Sequence, residues 1–186
     1  LAELYNPFIT LWLGERFTFG RGVVLLIVVY FYLYCMRIPV CSAKDAMGLF
    51  RQDKYKPIAE ATLNLVISIV LAKRIGIAGV ILGTIISTLL VPFWIEPLVV
   101  YRCGFEKSVL GFFAKFALYT IVTLAAWRLT ALLCSLTADG FWGFVIKMAV
   151  CTVVPNAVFA AVYCKTKEFA YLKNVGVSTL AKFRRK

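Results

Sequence analysis

Residues 54–71, KYKPIAEATLNLVISIVL, run from Lys54 to Leu71 and set Glu60, Asn64 and Ser68 four positions apart in a stretch that turns almost purely apolar. At about 100° per helical residue the three fall on one stripe, and the flanks of that stripe are apolar. A soluble helix would turn such a stripe to water. A helix in a bilayer must turn it away from lipid, because charged groups at membrane depth are costly and pair with one another or line a wet pathway.

The rest of the chain decides between the two. Of 186 residues, 62% are hydrophobic and only 16% charged, far from the balance of a soluble globular domain. The predicted class is an all-α integral membrane protein with about five transmembrane helices, over residues 22–41, 55–72, 76–101, 108–136 and 141–164. Crossing a bilayer as a helix takes about 20 residues. The second span is short from Pro57 to Ala72 and is expected to extend upstream through Tyr55 and the polar turns of GLFRQDKY. Between the spans, KRIG at 73–76 and Ala138-Asp139-Gly140 read as turns that make neighbouring helices antiparallel.

Cys35, Cys41, Cys103, Cys134, Cys151 and Cys164 lie inside apolar stretches or at their ends without paired spacing, so they read as packing residues. Histidine is absent, which removes the commonest metal ligand and the usual general base at neutral pH. No catalytic residue, metal site or cofactor is expected, and an enzyme ranks last among the readings.

Lys and Arg set the predicted orientation. Arg37, Lys44, Arg51, Lys54, Lys56, Arg102, Lys107 and seven residues after Cys164 fall on one side, fourteen in all, against Arg16, Arg21, Lys73 and Arg74 on the other. The C-terminus is therefore predicted cytoplasmic. Trp12 and Trp142 fall at the predicted outer interface. Residues 165–186 form a basic tail in which Phe169, Leu172, Val175, Leu180 and Phe183 stand near helical spacing, as in an amphipathic helix on a membrane surface, although Gly176 interrupts it. The net charge of +12 points to the lipid bilayer as partner rather than to nucleic acid.

Within this topology Arg37, Glu60, Glu96 and Lys115 share the cytoplasmic half and are candidates for charge pairing. They serve either as an ion-pair cluster that holds the bundle or in substrate entry and gating. Gly79, Gly83 and Ser87, four residues apart, are candidates for close helix packing. Pro92 and Pro97 predict a kinked helix of the kind that lines transporter cavities and occurs in other bundles too. Lys115, Arg128 and Lys147 are candidate cationic groups for an anionic substrate, with snorkelling to the interface as the other reading for Arg128 and Lys147. Lys115 and Arg128 lie about 220° apart on their helix, so at most one of the two faces a cavity. Asn156 beside Pro155 either satisfies the disturbed backbone or binds a sugar hydroxyl.

Three stretches, NPFITLWLGE at 6–15, AMGLFRQDKYKPIAEATLNLVISIVLAKRIGIAGVILGTIIS at 46–87 and WIEPLVVYRCGF at 94–105, resemble bacterial polysaccharide biosynthesis membrane proteins. These are the oligosaccharide-lipid flippases of the multidrug/oligosaccharidyl-lipid/polysaccharide exporter superfamily. The likeness covers about residues 6–105, and the later spans fit only in pattern. It implies a two-lobe transporter in the cell membrane, of which this chain supplies most of the C-terminal lobe and lacks the N-terminal one. It also implies an undecaprenyl-pyrophosphate-linked oligosaccharide as substrate, with Glu60 and Asn64 on the family's polar helix as lobe-organising or cavity-lining groups. The alternatives are a cation-coupled drug or metabolite exporter of the same superfamily and a structural membrane module without transport.

Overall fold

The computed structural model describes residues 1–137, 140–166, 169–171, 174–175 and 178. Among these the secondary structure is helical throughout: α1 (Tyr5–Leu13), α2 (Arg21–Ala46), α3 (Lys56–Ile75), α4 (Ile77–Leu90), α5 (Pro92–Val99), α6 (Leu110–Ser135) and α7 (Phe141–Tyr163), with a 3₁₀ turn at Glu15–Phe17 and a π-turn at Val100–Gly104. Four helical stretches are long and apolar enough to cross a membrane, namely α2, the run Ile77–Gly104 that contains α4 and α5, α6, and α7. They fit a multi-pass membrane protein. The chain divides into two compact units, Leu1–Leu118 and Tyr119–Lys186.

In the first unit, α3 differs from its expected bounds at both ends. Residues before Lys56 form turns instead of continuing the helix upstream, and the Lys56 amide closes a turn on the Asp53 carbonyl at 2.9 Å. Pro57 stands in the first helical turn, where its missing N–H costs nothing. Downstream, Lys73, Arg74 and Ile75 remain helical, and the turn contracts to Gly76 alone. Gly76 takes φ +61°, a conformation that L side chains rarely adopt, and it joins α3 directly to α4. The 20 residues of α3 carry Lys56, Glu60, Lys73 and Arg74, and α3 is not among the four apolar crossings.

This hairpin packs backbone on backbone. A methyl added to Gly79 would meet the Leu71 carbonyl and come to 2.7 Å from the Ala72 amide nitrogen, and one added to Gly83 would stand 2.8 Å from the Ser68 Cα. Ser87 on the same stripe is fully buried and donates to the Thr84 carbonyl at 3.0 Å. The small residues thus let two helices approach more closely than larger side chains allow. The opposite face of α3 exposes Ile58, Leu65, Val66, Ile69 and Val70. Apolar groups outside and polar groups inside are the arrangement expected of a helix bordered by lipid.

The expected span over 76–101 is met by the run Ile77–Gly104, with an irregularity at Val91 where the prolines predicted a kink. Pro92 has no N–H to return to the Thr88 carbonyl, and Val91 at the junction leaves regular helical geometry with ψ −76°. Pro97 repeats the loss inside α5, and the helix then widens at Val100–Gly104, where the Phe105 amide reaches back to the Val100 carbonyl at 3.0 Å. Pro39 is also accommodated within α2, which runs five residues beyond the expected span end at residue 41. Around α1, Asn6 donates to the Phe19 carbonyl at 2.9 Å and the Tyr5 and Phe19 rings stack at 6.1 Å.

The second unit is an antiparallel hairpin of the later part of α6 with α7. Tyr119 meets Tyr163 edge to face at 5.6 Å at one end, and Cys134 meets Cys151 sulfur to sulfur at 3.7 Å at the other. Neither cysteine is in a disulfide. Treatment of the purified chain with iodine, which accepts the two electrons as the thiols lose two protons, is expected to join Cys134 to Cys151. The checking measurement is mass spectrometry of the digested protein; a disulfide pattern spread evenly over the six cysteines contradicts this hairpin register. The expected turn at Ala138-Asp139, the residues Leu172, Leu180 and Phe183 of the proposed tail helix, and Gly176 lie outside the described residues. Phe169 and Val175 are described as helical. Trp12 and Trp142 are both exposed.

Candidate functional site

The polar stripe of α3 faces protein along its length. Glu60, Asn64 and Ser68 are all half-buried. Ser68 Oγ donates to Asn64 Oδ1 at 2.8 Å, a bond between neighbouring turns of one helix, and lies 3.4 Å from the Val80 carbonyl of α4. Glu60 turns to α2 instead, where Arg37 Nη1 reaches its Oε1 at 3.3 Å.

Arg37 organises the site. Its Nε and Nη2 grip the two carboxylate oxygens of Glu96 at 2.9 and 2.6 Å, the two-pronged geometry that a planar guanidinium offers a carboxylate. Lys56 Nζ reaches the same Glu96 Oε1 at 2.6 Å, and Lys56 also stands 3.6 Å from Asp53, which takes Lys44 Nζ at 2.9 Å. The result is one connected ladder of six ionised groups: Lys44, Asp53, Lys56, Glu96, Arg37 and Glu60. It joins α2, the α2–α3 connection, α3 and α5. Three cations face three carboxylates, so the ladder is internally neutral.

Burial is graded along it. The Glu96 side chain is 1% exposed and Asp53 5%, whereas Arg37 and Glu60 are 22% and 26% exposed. A carboxylate as deep as Glu96 requires compensation, since desolvation of an ion costs several kcal/mol even after relaxation. It has two cations and three short contacts. Beside Arg37 and Glu96 runs a small apolar hollow lined by Leu33, Met36, Val40, Pro92, Phe93 and Phe116.

The structure therefore brings together Arg37, Glu60 and Glu96 of the expected charge set. To these the ladder adds Lys56 and Lys44; Lys115 stands exposed on α6. Lys44, Asp53 and Lys56 did not emerge from the sequence as site residues because each reads as a loop charge near a helix end. The signal available was the Asp53–Lys56 spacing of three residues, which suits an ion pair across a first helical turn.

Arg128, Lys147 and Asn156 belong to the second unit. Arg128 is exposed, with its guanidinium 5.5 Å from the Trp127 ring centroid. Lys147 is half-buried on α7. Asn156 is exposed and its Nδ2 donates to the Thr152 carbonyl at 2.7 Å, next along the helix from the carbonyl that Pro155 leaves without its usual donor. No family model, curated protein or solved structure matches this chain.

Proposed function

We propose that the chain forms most of one lobe of a cell-membrane transporter that moves lipid-linked oligosaccharide across the bilayer for surface polysaccharide synthesis. In this reading α3 is a fifth crossing helix, the C-terminus is cytoplasmic and a second lobe completes the cavity. The observation that carries the proposal is the ionic ladder around Glu96. It ties a proline-broken helix to two neighbours through contacts that rigid-body movement of a helix would break and remake, and broken helices in transporters border the substrate path. The resemblance of residues 6–105 to oligosaccharide-lipid flippases supplies the substrate class.

The test is reconstitution of the two-lobe transporter in sealed vesicles with a fluorescent polyprenyl-pyrophosphate oligosaccharide. Transfer of the label to the leaflet reached by a membrane-impermeant quencher is expected to require the protein, and transfer no faster than in protein-free vesicles refutes the proposal. In the same assay Arg128→Gln or Lys147→Gln is expected to slow transfer about tenfold for whichever residue meets the pyrophosphate, the loss of one charge-assisted hydrogen bond. Full activity of both variants assigns these side chains to the interface. A structural membrane module is the second reading, and the internal neutrality of the ladder favours it, because every cation in it already has a carboxylate.

A further inference from the structure

Arg37 holds its two carboxylates unequally. Glu96 is almost completely buried, accepts a fork at 2.9 and 2.6 Å, and is shared with Lys56, so its position is fixed from two sides. Glu60 accepts one longer contact of 3.3 Å from Nη1, and the two side chains are 22% and 26% exposed. A single long contact between partly exposed groups holds more weakly than the fork, which makes Glu60 the partner of Arg37 that another anion can displace. The remaining five groups of the ladder carry one more positive than negative charge once Glu60 departs. The uncompensated charge is shared over the Arg37 guanidinium, whose Nη1 is then without its carboxylate and suited to an oxyanion.

We propose that Glu60 is an exchangeable occupant of Arg37, and that a phosphate or pyrophosphate group takes its place on Nη1 while Glu96 stays bound. Glu60 is then a built-in competitor that keeps the site neutral when no anion is present. Its displacement uncouples α3 from α2 at that point and leaves the Arg37–Glu96–Lys56 core intact. Anion arrival is thereby linked to loss of the direct α2–α3 ion pair, while Lys56 still holds α3 to Glu96. The inference rests on the transporter reading for the identity of the anion but concerns binding alone.

The experiment uses the full chain in nanodiscs of zwitterionic phospholipid, titrated with inorganic pyrophosphate in solution and, in separate discs, with a polyprenyl pyrophosphate. Glu60→Gln removes the competitor and preserves the Arg37–Glu96 fork, so it is expected to bind pyrophosphate about tenfold more tightly than the parent chain, equivalent to about 1.4 kcal/mol. Adding Arg37→Lys, which keeps a cation for Glu96 and loses the fork, is expected to abolish the gain. Unfolding midpoints without ligand establish that the variants compared are folded, and Glu60→Ala provides a second removal of the carboxylate.

A gain with both probes supports a site for the phosphate group itself, and a gain confined to the lipid-borne probe supports one that takes a lipid headgroup. Equal affinity of the parent chain and both Glu60 variants for both probes overturns the proposal, as does a gain that survives Arg37→Lys. Tight binding by Glu60→Gln together with no translocation by the parent transporter in the vesicle assay refutes the transport reading and leaves the anion site standing.

Discussion

Glu96→Gln is expected to destabilise the chain by about 3–5 kcal/mol, the usual consequence of removing one member of a buried ion pair and leaving its partners charged. Arg37 and Lys56 both direct their short contacts at this carboxylate, and Lys56 is 9% exposed, so neither finds water as a full substitute. Glutamine retains the shape and one acceptor oxygen but no charge. The measurement is the unfolding midpoint in a mild detergent, with Glu60→Gln as internal comparison. Because Glu60 and Arg37 are partly exposed, that variant is expected to lose under about 1 kcal/mol. Adding Lys56→Met to Glu96→Gln removes one of the stranded cations and is expected to recover part of the loss. Equal costs for Glu96→Gln and Glu60→Gln contradict the gradation of burial on which the reading of the ladder depends.

Gly83→Leu is expected to separate α3 from α4 and to lower stability by more than the 1–3 kcal/mol or so typical of overpacking. Even alanine places a Cβ 2.8 Å from the Ser68 backbone, and backbone cannot rotate aside as a side chain does. Gly79→Ala faces the same obstruction at the Ala72 amide, 2.7 Å away. The control is Gly111→Ala on α6, where nothing lies within 4 Å and alanine's better helix propensity predicts an unchanged or slightly raised midpoint. Thermal unfolding of the three variants side by side checks the prediction. A Gly83 variant as stable as the Gly111 control contradicts the packed hairpin. The two predictions concern different physics, since one strands charge and the other adds volume.

The membrane class and the protein-facing role of the α3 stripe were legible in the sequence because both follow from local composition and helical period. Glu60, Asn64 and Ser68 repeat every four residues, and a charged group in an apolar helix has few places to go. Gly79, Gly83 and Ser87 were legible as a contact stripe for the same reason, though not the helix they meet. The positions of the kinks were readable at Pro92 and Pro97, since a proline removes a specific donor wherever it stands.

Partner choice was not legible. Lys56 is one of several cations near helix ends in the same predicted half of the membrane, and nothing local singles it out. The one-residue turn at Gly76, the helical start at Lys56 and the break at Val91 set how far each helix advances and how it is rotated, and these bring Lys56 within 2.6 Å of Glu96 across 40 residues of sequence. By itself the sequence determined that this chain is helical, apolar and obliged to bury a few charges, because composition and period act over one or two turns. Only the tertiary structure decided which charges meet, because an ion pair between helices depends on relative register and rotation, which many distant contacts fix together.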